Sequence, residues 1–170
     1  MFLFSVVRCS AASYCFVGDS RFVGMQQSIS SDDIIWIAEV GATNNFYWEN
    51  RSYISFLDRD TVIIYELGIN DLNTNACIEA LQDLESLGFR HIYFTSITPV
   101  DDYKAIQCGY SVQNYQIEEF NQIVRNNLPY SVAAMDSYEY LAAMGISTYD
   151  GIHYTNETYQ TWFYNILNSL

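Results

Sequence analysis

The sequence has 170 residues, half of them apolar and only 16% charged, which excludes a disordered chain and is enough to bury a core without disulfides or metal. A net charge of -13 argues against nucleic acid or an anionic membrane surface as partner, since both reward lysine and arginine. Four cysteines without a C-x-x-C pair, and two histidines in all, argue against a zinc centre, and no apolar run is long enough to insert in a membrane.

Met1 to Ala12 is apolar but lacks the positively charged start of a signal peptide, and reads as a structured arm or the remnant of a longer N-terminus. The charge itself suits a secreted or cell-surface protein better than a cytoplasmic one. Tyr14 to Val17 reads as a buried strand, followed by a helix over Ser20 to Ile29 and a turn at Asp32 and Asp33. Ile34 to Val40 is a second strand, β-branched and nearly continuous, as a sheet covered on both faces demands. A polar and aromatic loop from Ala42 to Trp48 leads into a short helix ending near Leu57. Thr61 to Leu67 is a third strand, and the helix after it places Cys77, Ala80, Leu81, Leu84 and Leu87 on one face. His91 to Ile97 is a fourth strand. Thr98 to Tyr110 reads as the longest loop, at the carboxyl end of the sheet where long loops are often functional. A helix from Val112 to Asn127 is expected to turn Tyr115, Phe120, Ile123 and Val124 inward. Tyr130 to Met135 is the last strand, Tyr138 to Met144 a short helix, and Asn156 to Leu170 a final helix with a stripe of Tyr159, Trp162, Phe163, Ile166, Leu167 and Leu170. Cys15 and Cys77 fall on buried faces and read as small core residues.

Strands alternating with helices predict a single α/β domain over residues 1–170. The expected form is a three-layer α/β/α sandwich on a five-stranded parallel sheet, flavodoxin-like, in the order 2-1-3-4-5.

In such a sheet the strand tips lie side by side, and three consecutive tips carry candidate chemistry. Gly18-Asp19-Ser20 follows the first strand, Gly41 the second, and Gly68-Ile69-Asn70-Asp71 the third. Ser20 opens a helix, whose N-terminus favours negative charge. A fourth segment, Asp150-Gly151-Ile152-His153, precedes the last helix. An acid and a histidine three residues apart can meet on one turn, leaving Nε2 free to face a hydroxyl, which is the nucleophile, base and orienter arrangement of acyl transfer. The Ser20 and Gly41 backbone N–H groups and the Asn70 amide could serve a developing oxyanion. Gly41 would let the backbone approach closely, having no Cβ, while Asn70 donates without bringing a charge. Asp71 reads as the cap of the next helix, and His91, at the other end of the sheet, as structural.

These four segments, in this order and spanning residues 18 to 153, resemble the SGNH (GDSL-like) hydrolases. The first block reads Gly-Asp-Ser-Arg in place of Gly-Asp-Ser-Leu. The resemblance implies Ser20 as nucleophile, His153 as base, Asp150 as its orienter, an oxyanion hole of Ser20, Gly41 and Asn70, and neither metal nor organic cofactor. Arg21 could then face an acidic substrate group, and Tyr47, Trp48 and Tyr154 could border the pocket. The expected activity is hydrolysis of short acyl esters, acetyl foremost, on a small molecule or a carbohydrate; the 15 tyrosines suit a sugar ligand. The alternatives are an O-acyltransferase, a long-chain lipase or thioesterase on the same site, or a non-catalytic carbohydrate-binding module.

Overall fold

The computed structural model describes residues 13–31 and 33–170. The N-terminal arm with Cys9, and Asp32 of the first expected turn, lie outside the described residues. The elements run β1 (Tyr14–Gly18), α1 (Ser20–Ser28), β2 (Ile34–Ala38), α2 (Asn45–Ser55), β3 (Val62–Glu66), α3 (Thr74–Ser86), β4 (His91–Thr95), α4 (Asp102–Gln107), α5 (Asn114–Asn126), β5 (Val132–Met135), α6 (Ser137–Met144) and α7 (Asn156–Asn168). The five strands form one sheet in the order β2-β1-β3-β4-β5, and every pairing is parallel.

Alternate side chains along each strand feed opposite layers, because successive Cβ atoms in a strand point to opposite faces. Cys15, Val17, Ile63, Tyr65, Ile92 and Phe94 face one layer, where they meet Tyr47 and Ile54 of α2, Leu81 and Leu84 of α3, and Ile117 and Phe120 of α5. Phe16, Val62, Ile64 and Met135 face the other, against Phe22 and Met25 of α1, Leu141 of α6, and Trp162 and Phe163 of α7. Burying side chains of this size stabilises by about 1.5–3 kcal/mol each, so the two layers together fix the three-layer sandwich. Trp162 and Phe22 are both fully buried, with ring centroids 5.3 Å apart, and lock α7 onto α1.

The sequence reading needs four corrections. β2 is one of the two edge strands, mostly half-buried, and Val40 lies beyond it at 70% exposure; an edge strand has a neighbour on one side only and does not need full cover. The expected long loop contains α4, whose N-cap Asp101 accepts a hydrogen bond from the Lys104 N–H (3.0 Å). On α5 the buried face is Ile117, Phe120, Asn121 and Val124, while Tyr115 and Ile123 are exposed. Asn121 sits in that face because its amide pairs with the Ile97 backbone twice, at 2.8 Å each way. Leu170 lies past the end of α7 and is exposed. Among the described residues no helix is long and apolar enough to cross a membrane.

Candidate active site

The site starts at the carboxyl end of β1. Gly18 is required there: a Cβ would fall 2.4 Å from the Phe22 ring and 2.9 Å from the Glu66 carbonyl. Asp19 caps α1, its carboxylate accepting the Arg21 N–H at 2.9 Å. Ser20 is thereby the first residue of α1, with a backbone N–H that has no intrahelical acceptor and with the positive end of the helix dipole beside it.

Asp150, Gly151, Ile152 and His153 form one local turn. The Asp150 Oδ1 accepts the N–H groups of Ile152 (3.0 Å) and His153 (2.8 Å), and this fixes the carboxylate against its own backbone. Gly151 adopts φ +97°, and a Cβ on it would fall 2.2 Å from the Ala105 nitrogen, so the turn is seated directly on α4. The Gly151 carbonyl also accepts the Asp101 N–H at 2.8 Å. The supposed loop is therefore a platform for this turn.

From that turn Asp150 Oδ2 bonds His153 Nδ1 at 2.7 Å, and His153 Nε2 lies 2.9 Å from Ser20 Oγ. Ser20 and His153 are 133 residues apart in sequence. An acceptor on Nδ1 fixes the neutral tautomer with its free lone pair on Nε2, facing the hydroxyl. The Tyr110 hydroxyl donates to the same Asp150 oxygen at 3.0 Å, a contact no sequence pattern announces. Burial pushes the Asp150 carboxyl up, but the His153 N–H, the imidazole, the Ile152 N–H and the Tyr110 hydroxyl outweigh it and hold the group at about 2. With its folded pKa below the unfolded value, Asp150 adds stability above about pH 4. That contribution is lost as pH falls toward 2.

Gly41 and Asn70 stand in the loops that follow the two strands flanking β1, where Gly18 pairs with Ala38 on one side and with Glu66 on the other. Asn70 gives one amide N–H to the Ala42 carbonyl at 2.8 Å and keeps its second for another acceptor. Gly41 has φ +79° with open space around its Cα, so the turn's conformation, and not a close contact, demands glycine. The two loops are tied together by Asn44, which the sequence reading missed. It is fully buried, donates to both Asp71 oxygens (3.0 and 2.9 Å) and accepts the Tyr65 hydroxyl at 2.9 Å. Asp71 therefore ties loops together, and Asn73 caps α3.

Two structural neighbours carry the same architecture over nearly their whole length. A lipolytic protein of the G-D-S-L family from Veillonella parvula superposes with a TM-score of 0.67 at 15% identity, over 93% of this chain and 97% of that one. The lipase/acylhydrolase from Enterococcus faecalis superposes with a TM-score of 0.70 at 14% identity, over 94% of this chain and 95% of that one. The chain has the SGNH hydrolase fold. An acetyl xylan esterase, AlAXEase, shares it too, with a TM-score of 0.68 at 13% identity over 93% of this chain and 99% of that one. No protein-family model and no curated protein matches the sequence.

On this SGNH fold, two of the expected substrate contacts do not reach the site. Arg21 is fully buried and cannot meet a substrate acid. It ion-pairs with Glu66 and donates to the Thr98 carbonyl and hydroxyl at 3.0 Å each. Burial holds the Glu66 and Asp19 carboxyls above their usual range, and the guanidinium offsets only part of that rise. Removing one partner of such a cluster leaves an uncompensated buried charge. Arg21→Met is expected to cost about 3–5 kcal/mol. In thermal melts this would appear as a drop on the order of 10 °C. Tyr47 is buried and bonds Asp83 at 2.5 Å, so it does not border the site, while Trp48 packs edge-on against it at 5.1 Å with its own side chain exposed. Tyr154 does line the cleft beside Ser20, but its hydroxyl is committed to the Pro99 carbonyl. Cys15 and Cys77 are buried as expected, with burial pushing the Cys15 thiol up to about 12. His91 opens β4 at the far end of the sheet. Among the described residues no group of three His, Cys, Asp or Glu side chains is arranged to hold a metal ion.

Proposed function

We propose that this chain is an SGNH-type serine esterase that hydrolyses short acyl esters, acetyl foremost, carried on carbohydrate. The observation that supports this most is the continuous relay from Asp150 through His153 to Ser20, at 2.7 and 2.9 Å. In this reading Ser20 Oγ attacks the ester carbonyl while His153 Nε2 takes its proton. Asp150 keeps the imidazole in the reactive tautomer and stabilises the imidazolium that forms. In this reading the tetrahedral oxyanion is met by the N–H groups of Ser20 and Gly41 and by the Asn70 amide hydrogen not given to Ala42. His153 returns the proton to the departing alkoxide, and the acyl-enzyme is then cleaved by water through the same base.

The cleft beside Asn70 is about 200 Å³ and is bordered by Ile69, Leu72 and Val112. In this reading its apolar rim takes the acyl group next to the Asn70 amide. The likeness to an acetyl xylan esterase supports an acetylated carbohydrate. The test is a p-nitrophenyl ester series from acetate to octanoate, combined with fluorophosphonate labelling read by peptide mass. The expected result is a label on Ser20 and a kcat/KM highest at acetate or butyrate. A maximum at octanoate would move the assignment to a lipase or thioesterase. An unlabelled Ser20 with no ester turnover would overturn the hydrolase reading altogether.

A further inference from the structure

The Asp150 carboxylate receives four donors. Oδ1 takes the N–H groups of Ile152 and His153, and Oδ2 takes His153 Nδ1 and the Tyr110 hydroxyl. An ionised carboxylate offers about four lone-pair positions, so Tyr110 fills the last of them. The other donors belong to the turn itself, whereas Tyr110 lies 40 residues earlier in the chain.

That last position matters because the acid and the base are not sealed from solvent. The side chains of His153 and Asp150 are 31% and 26% exposed. At such a site water takes any carboxylate lone pair the protein leaves open. A water on Oδ2 would share that oxygen with His153 Nδ1 and would come and go. The Tyr110 hydroxyl is instead carried on a fixed backbone, and its ring stands edge-on to the imidazole, with centroids 6.3 Å apart. The hydrogen bond to Asp150 holds the phenol above its ordinary pKa, so the hydroxyl keeps its proton and stays a donor.

The backbone of Tyr110 is set by the end of α4. Cys108 is the C-cap, and Gly109 follows with φ +88°. The Gly109 N–H donates to the Ile106 carbonyl at 3.1 Å and the Tyr110 N–H to the Ala105 carbonyl at 2.9 Å, the paired bonds of a left-handed helix stop. The space around Gly109 is open, so the stop's conformation is what demands glycine. Ala105 is also the residue on which Gly151 is seated. One residue of α4 therefore places both the turn that carries Asp150 and the tyrosine that reaches it.

We propose that Tyr110 is a positioning residue of the relay: its hydroxyl closes the Asp150 carboxylate to water and keeps Oδ2 aimed at His153 Nδ1. It acts through Asp150 and not on the ester. This rests on the assignment of Ser20, His153 and Asp150 as the relay.

The experiment measures kcat and KM for p-nitrophenyl acetate in the wild-type chain, Tyr110→Phe, Gly109→Ala, Asp150→Asn and the double variant Asp150→Asn/Tyr110→Phe. Phenylalanine keeps the ring and removes only the hydroxyl of a side chain that is 37% exposed, so the fold is kept. Tyr110→Phe is expected to lower kcat about tenfold with KM unchanged, and to slow fluorophosphonate labelling of Ser20 by a similar factor, since one base serves both reactions. Gly109→Ala keeps the hydroxyl but strains the left-handed position, and is expected to lower kcat about threefold. In the Asp150→Asn background the tyrosine substitution is expected to change kcat by less than about twofold, because two residues acting in series do not add. An equal loss in both backgrounds would make Tyr110 independent of Asp150 and overturn the proposal. A raised KM with kcat unmoved would place Tyr110 against the substrate and overturn it equally, as would full kcat in Tyr110→Phe. A wild-type chain that neither turns over the ester nor takes the label fails at the earlier step, the hydrolase assignment.

Discussion

Ser20→Ala is expected to lower turnover of p-nitrophenyl acetate by about 10⁵–10⁶-fold, the loss typical when a serine nucleophile is removed from an intact relay. The fold should not register the change. The substitution removes one oxygen from a residue whose neighbour Asp19, not Ser20 itself, caps α1. The hydroxyl that disappears faces His153 at the surface end of the sheet, not the packed layers. Melting temperature is expected to move by no more than about 2–4 °C, what ~1 kcal/mol produces in a chain of this size. A variant with near wild-type turnover would remove Ser20 from the chemistry. A variant that is inactive and also melts far below the parent would say nothing specific about catalysis, so turnover and melting are measured on the same preparation.

Asp150→Asn is expected to lower kcat by about 10³–10⁴-fold. The carboxylate accepts from His153 Nδ1 and so leaves Nε2 bare toward Ser20. An amide in the same place can turn its N–H₂ toward Nδ1, which then becomes the acceptor and forces the proton onto Nε2. The imidazole would present a hydrogen to Ser20 and could not take one. The turn is expected to survive, because the amide oxygen can still accept the Ile152 and His153 N–H groups that Oδ1 receives in the parent. Ser20 should also lose its reactivity toward fluorophosphonate in this variant, since the same base activates it for both reactions. Full activity in Asp150→Asn would mean that His153 is oriented by its backbone alone.

Much of this was legible because parallel α/β architecture writes itself in alternation. Apolar runs at residues 14–17, 34–40, 61–67, 91–97 and 130–135 each mark a strand, and the expected order 2-1-3-4-5 is the one observed. The three segments at the strand tips and the fourth before α7 were legible for the same reason: topology brings together what the sequence separates. What was hidden is equally physical. Six-residue α4 exposes Tyr103 and Ile106, so it has no apolar stripe to read. On α5 a polar residue, Asn121, takes an inward position by pairing with the Ile97 backbone, and this disguised the buried face. Arg21 looked like a substrate contact because arginine is usually exposed. Only the coordinates reveal the buried acids that hold it inside. Tyr110 and Asn44 act across loops, and sequence spacing carries no trace of such partners.

The acid and the base share a single turn, while the nucleophile stands on an element more than a hundred residues away. Displacing the C-terminal segment would carry Asp150 and His153 off as one unit, their mutual geometry undamaged, and only the gap to Ser20 would widen. Catalytic output is thus a gauge of how firmly that turn is seated on α4, where Gly151 lies against Ala105 and its carbonyl holds the Asp101 N–H.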